Sequence, residues 1–293
     1  MLKILLLGKY GQLGWELERS LQPLGSVLAY DYPQIDLLDD KSYLELIPDT
    51  SPDIVINATA YTDVDGAESD QENADQINSN APAVLADQAK KQGAVFIHYS
   101  TDYVFDGTKG SAYRESDTPR PLSVYGRTKL AGEKAIQDVG GNFYIFRTSW
   151  LYSLRRPSFV SKVLDWSRKN KTLRIVSDQI SSPTWSRMLA EVTAQWLTGL
   201  IAAERIKNHE TSGVYHLSAS GAVSRYEWAK AILALDPDAE DQIAREVLPA
   251  ASGEFDTPAA RPLYSALDCS RFQERFDLSL PDWYSSLQLA MSR

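Results

Sequence analysis

Lys3-Ile4-Leu5-Leu6-Leu7-Gly8-Lys9-Tyr10-Gly11-Gln12-Leu13-Gly14 is the stretch that decides the fold. A short apolar run that meets glycines at three-residue spacing reads as a buried strand turning sharply into a helix. From Gln12 to Leu21 the period becomes helical, with Leu13, Leu17 and Leu21 on one side. Glycine at Gly8, Gly11 and Gly14 allows a tight turn and brings backbone N–H groups against a pyrophosphate at the helix N-terminus. Such turns are common as plain structure, so the segments around this one carry the decision. Asp31 ends the next apolar run, roughly twenty residues on, where an acid accepts ribose hydroxyls and disfavours a 2′-phosphate.

Outward from that turn, Ser26–Tyr30, Asp53–Asn57, Val95–Tyr99 and Phe143–Arg147 are further short apolar runs. Helical stretches lie between them, notably Asn73–Gln92 and Val124–Val139. Strands alternating with helices predict an α/β protein built on a Rossmann-like, doubly wound parallel sheet. After Trp150 the pattern loosens. Leu173–Val176 and Val214–Leu217 read as strands, Thr184–Leu197 and Arg225–Leu235 as helices, separated by proline-bearing turns. We expect a dinucleotide-binding domain over residues 1–149, joined by a strand near 171–177, and a smaller C-terminal substrate-binding lobe over 150–293.

The composition, 43% apolar and 24% charged, is that of an ordinary globular protein. A formal charge of −9 argues against nucleic acid or an anionic membrane as partner, since either needs a basic face. Cys269 is alone, which excludes an intrachain disulfide and suggests the reducing cytoplasm. His98, His209 and His216 lack cysteine partners, so zinc is not expected. The apolar run at the start stops at Gly8, too short for a signal peptide, and no stretch reaches membrane-spanning length.

Two clusters point to chemistry: Ser100-Thr101-Asp102-Tyr103 and Tyr125-Gly126-Arg127-Thr128-Lys129. On a helix Tyr125 and Lys129 leave one face. An ammonium there is expected to lower the phenol pKa and make Tyr125 a usable acid or base. Thr101, ending a buried strand, would hold a substrate oxygen beside it, an arrangement suited to ketone reduction or alcohol oxidation. Asn57-Ala58-Thr59-Ala60-Tyr61-Thr62 also ends a strand, and its small residues suit either a passing cofactor or a plain exit to a loop. The acidic run Asp63, Asp65, Glu68 and Asp70 reads as a solvated loop rather than a metal site. Trp150 suits stacking on a ligand or filling the core, with the core favoured.

Together these residues resemble the extended short-chain dehydrogenase/reductase superfamily, and more closely the dTDP-4-dehydrorhamnose reductases. The likeness runs nearly end to end, through Gly8 to Leu17, Asn57 to Asp65, His98 to Phe105, Val124 to Lys134, Phe146 to Trp150, Tyr215 to Leu217 and Ala260 to Pro262. The resemblance implies catalysis by Tyr125, Lys129 and Thr101, with NADPH or NADH as cofactor. It implies that Gly11, Gln12, Leu13, Asp31, Asp36, Leu37, Ala60, Tyr61 and Thr62 line the dinucleotide, that Thr101 and Asp102 touch the dTDP-sugar, and that Trp150 borders it. Gln179 and Arg261 suit the thymine and diphosphate, and suit structural roles equally. Some members form a homodimer through Mg²⁺ held by glutamates of both subunits. Glu16 matches one such position, Glu191 is a rough candidate for another, and Ser285 to Arg293 offers no C-terminal glutamate. Ser158 stands where similar chains carry Asn. Related dehydratases place an acid where this chain has Tyr103, which disfavours dehydration. The alternatives are a nucleotide-sugar epimerase or a non-catalytic subunit resembling the methionine adenosyltransferase β subunit.

Overall fold

The computed structural model describes residues 1–203 and 209–292. Strand β1 (Leu2–Leu7) leads into helix α1 (Gln12–Ser20) and returns as β2 (Gly25–Tyr30). Then come β3 (Ile54–Asn57), α2 (Ala81–Gln92), β4 (Val95–Thr101), α3 (Val124–Val139) and β5 (Phe143–Thr148). The apolar strands are buried on both faces, as a parallel sheet requires: Ile4 to Leu7 and Ile54 to Ile56 are all fully buried. On one face Leu13 and Leu17 of α1 pack with Leu189 and Trp196, and on the other Leu85, Ala89 and Ile136 pack from α2 and α3.

Helix α3 starts and stops where the sequence predicts. Ser123 accepts from the Gly126 N–H at 3.2 Å, a side-chain cap, and Gly140 at φ +71° ends the helix. The predicted Asn73–Gln92 helix is composite. Gln71–Asp75 is followed by a π turn at Gln76–Asn80, and only then by α2. The wide turn aims Asn78 at the loop after β3: its Oδ1 accepts from Tyr61 N at 2.9 Å and its Nδ2 donates to Tyr61 O and Thr128 Oγ1.

Beyond β5 the chain forms α4 (Phe159–Ser167), β6 (Thr172–Val176), α5 (Ser186–Ala202), β7 (Gly213–His216), α6 (Arg225–Ala234), β8 (Glu246–Ala250) and α7 (Trp283–Met291). The large sheet has six parallel strands in the order β7-β5-β4-β3-β1-β2. One expectation needs correction. The strand near 171–177 does not join this sheet: β6 pairs with β8, and the sixth place belongs to β7. The burial of β6 explains why. Leu173 and Ile175 alternate with exposed Thr172 and Arg174, so β6 has one apolar face, turned to a second core around Trp228, Val160 and Leu287. At the edge of the large sheet, β7 instead packs Tyr215 into the core on one face and Val214 into the core on the other.

The strand order turns back between β1 and β3, with β2 to one side and β4 onward to the other. Ligands of open α/β sheets bind outside the carboxyl ends of the strands at such a point.

Candidate active site

A cleft of about 960 Å³ opens there, running from the glycine turn past the ends of β3, β4 and β5 to the second lobe. The glycine turn forms one end. Gly8 sits at φ +93°, and a Cβ on it would come within 2.9 Å of the Ala58 carbonyl. A Cβ on Gly14 would fall 1.9 Å from the Gly8 oxygen, so Gly14 holds the helix against the strand without lining the cleft. Gly11 begins α1 with no side-chain cap, which leaves the N–H groups of the first turn for an anion. Gln12 Oε1 and Thr148 Oγ1, both on cleft residues, are buried without a partner. Asp31 accepts from the Tyr10 and Tyr32 N–H groups, each at 2.8 Å, which fixes its carboxylate at the rim. These donors, orphaned acceptors and the glycine cradle fit a dinucleotide.

Thr101 and Tyr125 meet at the centre. The nearby Thr101 hydroxyl lowers the Tyr125 phenol, but burial outweighs it and pushes the phenol above the ordinary value. Here the structure overturns the expected lowering by Lys129. The Lys129 side chain is buried and its Nζ is committed to β4, donating to the Tyr99 carbonyl at 2.7 Å and lying 3.0 Å from His98 Nε2. Burial brings Lys129 down to about 8, with Glu133 opposing. Helical spacing places two side chains on one face, but the strand beneath decides where the longer one ends. Tyr125 therefore keeps its proton at neutral pH, the state a proton donor needs.

Asp102 is buried, and its Oδ2 accepts from Ser181 at 3.1 Å and Ser265 at 2.5 Å. Loss of hydration pushes its carboxyl up to about 6, and the hydroxyls hold it back. This hydroxyl-bound carboxyl stitches the end of β4 to the second lobe.

That lobe closes the other end with cations and aromatics. Trp150, in the left-handed region at φ +40°, stacks on Trp228 and lies under the Arg225 guanidinium at 4.0 Å. It serves both roles considered from sequence, lining the cleft while packing on the second core. Arg261 lines the cleft and donates to Asp65 at 2.6 Å, so part of the acidic run anchors a cation. Glu68 accepts from the Val124 N–H at the start of α3.

Gly8, Gly11, Gln12, Leu13, Asp31, Ala60, Thr62, Thr101, Asp102, Tyr125, Lys129, Trp150 and Arg261 line the cleft. Asp36, Leu37, Tyr61 and Gln179 do not. Leu37 is buried in the core beside Ile35 and Tyr43, and Asp36 accepts from the Leu38 N–H. The Tyr61 hydroxyl turns away to Asp70 at 3.1 Å. Gln179 is buried behind Arg225 and accepts from its Nε at 3.0 Å, a supporting contact. Within one chain, no group of three or more His, Cys, Asp or Glu among the described residues could hold a metal. Glu16 and Glu191 do lie near each other, but the cations of Arg19, Arg155 and Arg187 already face Glu16. Sequence reasoning missed Arg225, whose signal was a basic residue directly after the Ser224 cap of α6.

A family model described as the RmlD substrate binding domain matches residues 2–293. A dTDP-4-dehydrorhamnose reductase of Burkholderia thailandensis is 40% identical over 293 residues, covering 99% of this chain and 98% of the relative. The Escherichia coli K12 protein of the same name is 40% identical over 287 residues, covering 96% and 94%. Among solved structures, a dTDP-4-dehydrorhamnose reductase from Clostridium acetobutylicum superposes with a TM-score of 0.89 at 32% identity, covering 99% of this chain and 98% of that one. One from Bacillus anthracis in complex with NADP gives 0.87 at 30%, with the same coverage of both chains. The chain belongs to the dTDP-4-dehydrorhamnose reductase family.

Proposed function

We propose that this protein reduces the 4-keto group of dTDP-4-dehydro-β-L-rhamnose to give dTDP-L-rhamnose. The observation that carries this is a buried, protonated Tyr125 beside Thr101 in a cleft that also takes in an uncapped glycine turn and the side chains of Trp150, Arg225 and Arg261. A bound nicotinamide cofactor supplies the hydride. Thr101 holds the ketone oxygen, and Tyr125 gives that oxygen its proton as the alkoxide forms. Arg225 and Arg261 neutralise the diphosphate, and Trp150 offers a flat face. Residues 1–149 hold the dinucleotide and residues 150–293 the sugar nucleotide. Tyr103 lies where a dehydratase needs a carboxyl, so water is not eliminated. No described helix is long and apolar enough to cross a membrane; with a lone cysteine, we place the protein in the cytoplasm.

Two measurements test this. Purified protein given dTDP-4-dehydro-β-L-rhamnose and NADH or NADPH should oxidise the cofactor and yield dTDP-L-rhamnose, with UDP- or GDP-linked ketosugars much slower. Protein that binds cofactor but oxidises none with any nucleotide ketosugar would be a regulatory subunit. Second, the fixed Asp31 carboxylate should let NADH support turnover, with NADPH also accepted. Asp31→Ala is expected to move kcat/KM toward NADPH by about tenfold, roughly one lost charge contact. Strict NADPH dependence of the wild type would place Asp31 away from the ribose.

A further inference from the structure

Between Tyr152 and Ser158 the chain runs as a strap from the second lobe toward α1. Both ends of the strap are fixed. Ser153 is buried and its hydroxyl accepts from the Arg155 N–H at 3.0 Å, while the buried Ser158 closes a capping box with Ser161 at the start of α4. Between them Leu154, Arg155, Arg156 and Pro157 are exposed. Pro157 disfavours helical backbone at Arg156, so α4 does not grow back into the strap.

The middle of the strap is latched to α1. The Arg155 guanidinium lies over the Trp15 ring at 4.4 Å, with Arg19 over the same ring at 3.2 Å. The Glu16 carboxylate draws on both cations. Side chains of a helix lean toward its N-terminus, so the Trp15 ring covers the turn before its own Cα, which is the first turn of α1. The latch therefore brings the strap to the uncapped N–H groups of that turn, where Gln12 Oε1 is also buried without a partner.

Arg156 is the next residue, and it lines the same cleft as Gly11 and Gln12. The other arginines of the cleft are already engaged, Arg261 with Asp65 and Arg225 with Gln179 and Trp150. Lys129 is committed to the Tyr99 carbonyl. Arg156 has no hydrogen bond or ion pair among the described residues. Lys162 is likewise unpaired, but it lies on α4, beyond the latch. In a chain of net charge −9, an unpaired guanidinium next to a free helix N-terminus calls for an anion shared by the two. The planar fork of donors suits two phosphate oxygens at once.

We propose that Arg156 is a cofactor-binding residue, carried from the second lobe to the pyrophosphate of the nicotinamide dinucleotide by a strap that Arg155 latches onto Trp15. This rests on the cofactor half of the reading above. Arg155 is a positioning residue, acting only through its neighbour. Arg225 and Arg261 are left for the diphosphate of the sugar nucleotide, so the two anions have separate cations.

NADH binding, followed by energy transfer from protein tryptophan, tests this without a ketosugar. Arg156→Ala should weaken NADH by about tenfold, the size of one charge-assisted contact. ADP-ribose, which keeps the pyrophosphate and lacks the nicotinamide, should weaken by the same factor, and dTDP binding should hardly change. Arg156→Lys should recover part of the loss, since the charge returns without the fork. Arg155→Ala should weaken NADH too, and adding it to Arg156→Ala should cost nothing more, because the latch serves that one contact. Unchanged NADH affinity in Arg156→Ala overturns the proposal. So does a loss confined to dTDP, which gives Arg156 to the sugar nucleotide, or one confined to NADPH, which gives it to the 2′-phosphate. Fully additive losses in the double variant overturn the latch. A protein that binds NADH but reduces no ketosugar fails the function proposed above and leaves this test intact.

Discussion

Tyr125→Phe should lower kcat by roughly 10²–10⁴-fold, the range for removal of a general acid. Only the hydroxyl is lost. The ring that packs edge-on against Tyr103 stays, so substrate KM and cofactor Kd should hardly move. Thr101 keeps its place too, because its hydroxyl also bonds Asp102 and accepts from the Tyr103 N–H, at 3.2 Å in each case. The variant should therefore separate binding from chemistry, with cofactor titration unchanged while single-turnover reduction slows. Retention of most wild-type turnover would remove Tyr125 from proton transfer.

The largest stability effect is expected about two turns further along the same helix. Glu133 is fully buried and receives Arg147 through both Nε and Nη2, at 2.9 and 2.6 Å, as well as the Ser100 hydroxyl. Arg147 in turn lies 3.4 Å from His216 Nε2, a ring brought down to about 3 by burial and by that cation, and so neutral. Glu133→Ala strands a buried guanidinium and should cost about 3–5 kcal/mol, against a total of roughly 5–15 kcal/mol for a typical domain. The urea midpoint should fall accordingly. Glu133→Met with Arg147→Met should recover much of the loss, since the burial penalty of both charges goes with them. A single-variant cost below about 1 kcal/mol would mean that water reaches the pair. Activity should suffer beyond the stability loss, because Ser100 adjoins Thr101.

The first half of the fold was legible because local signals there agree with tertiary demand. Apolar runs short enough to be strands are bounded by glycine turns, and α3 carries both its Ser123 cap and its Gly140 stop within the sequence. The cleft residues at strand ends were legible for the same reason, since parallel order fixes which edge they share. What failed depends on contacts distant in sequence. Arg225 meets Trp150 only after the second lobe folds, and its place after the Ser224 cap marks a helix start but not that partner. The sheet position of β7 over β6 turns on which strand has two apolar faces, and the five residues of β6 show that weakly. Lys129 looked like a free ammonium because spacing describes where a side chain starts, whereas the Tyr99 carbonyl decides where it ends.

The π turn at Gln76–Asn80 has a consequence for any comparison made along this helix. A single widened turn takes up about one extra residue, close to 100° of rotation at α-helical pitch. Positions before and after it are therefore out of phase. A helical wheel drawn through residues 71–92 as one cylinder would set Asn78 and the core-facing Leu85 and Ala89 on false bearings to each other. Removing one residue from the turn would make the cylinder regular and swing Asn78 away from both Tyr61 and Thr128, unfastening the loop that edges the cleft. In this chain an irregular helix is what keeps a loop in register.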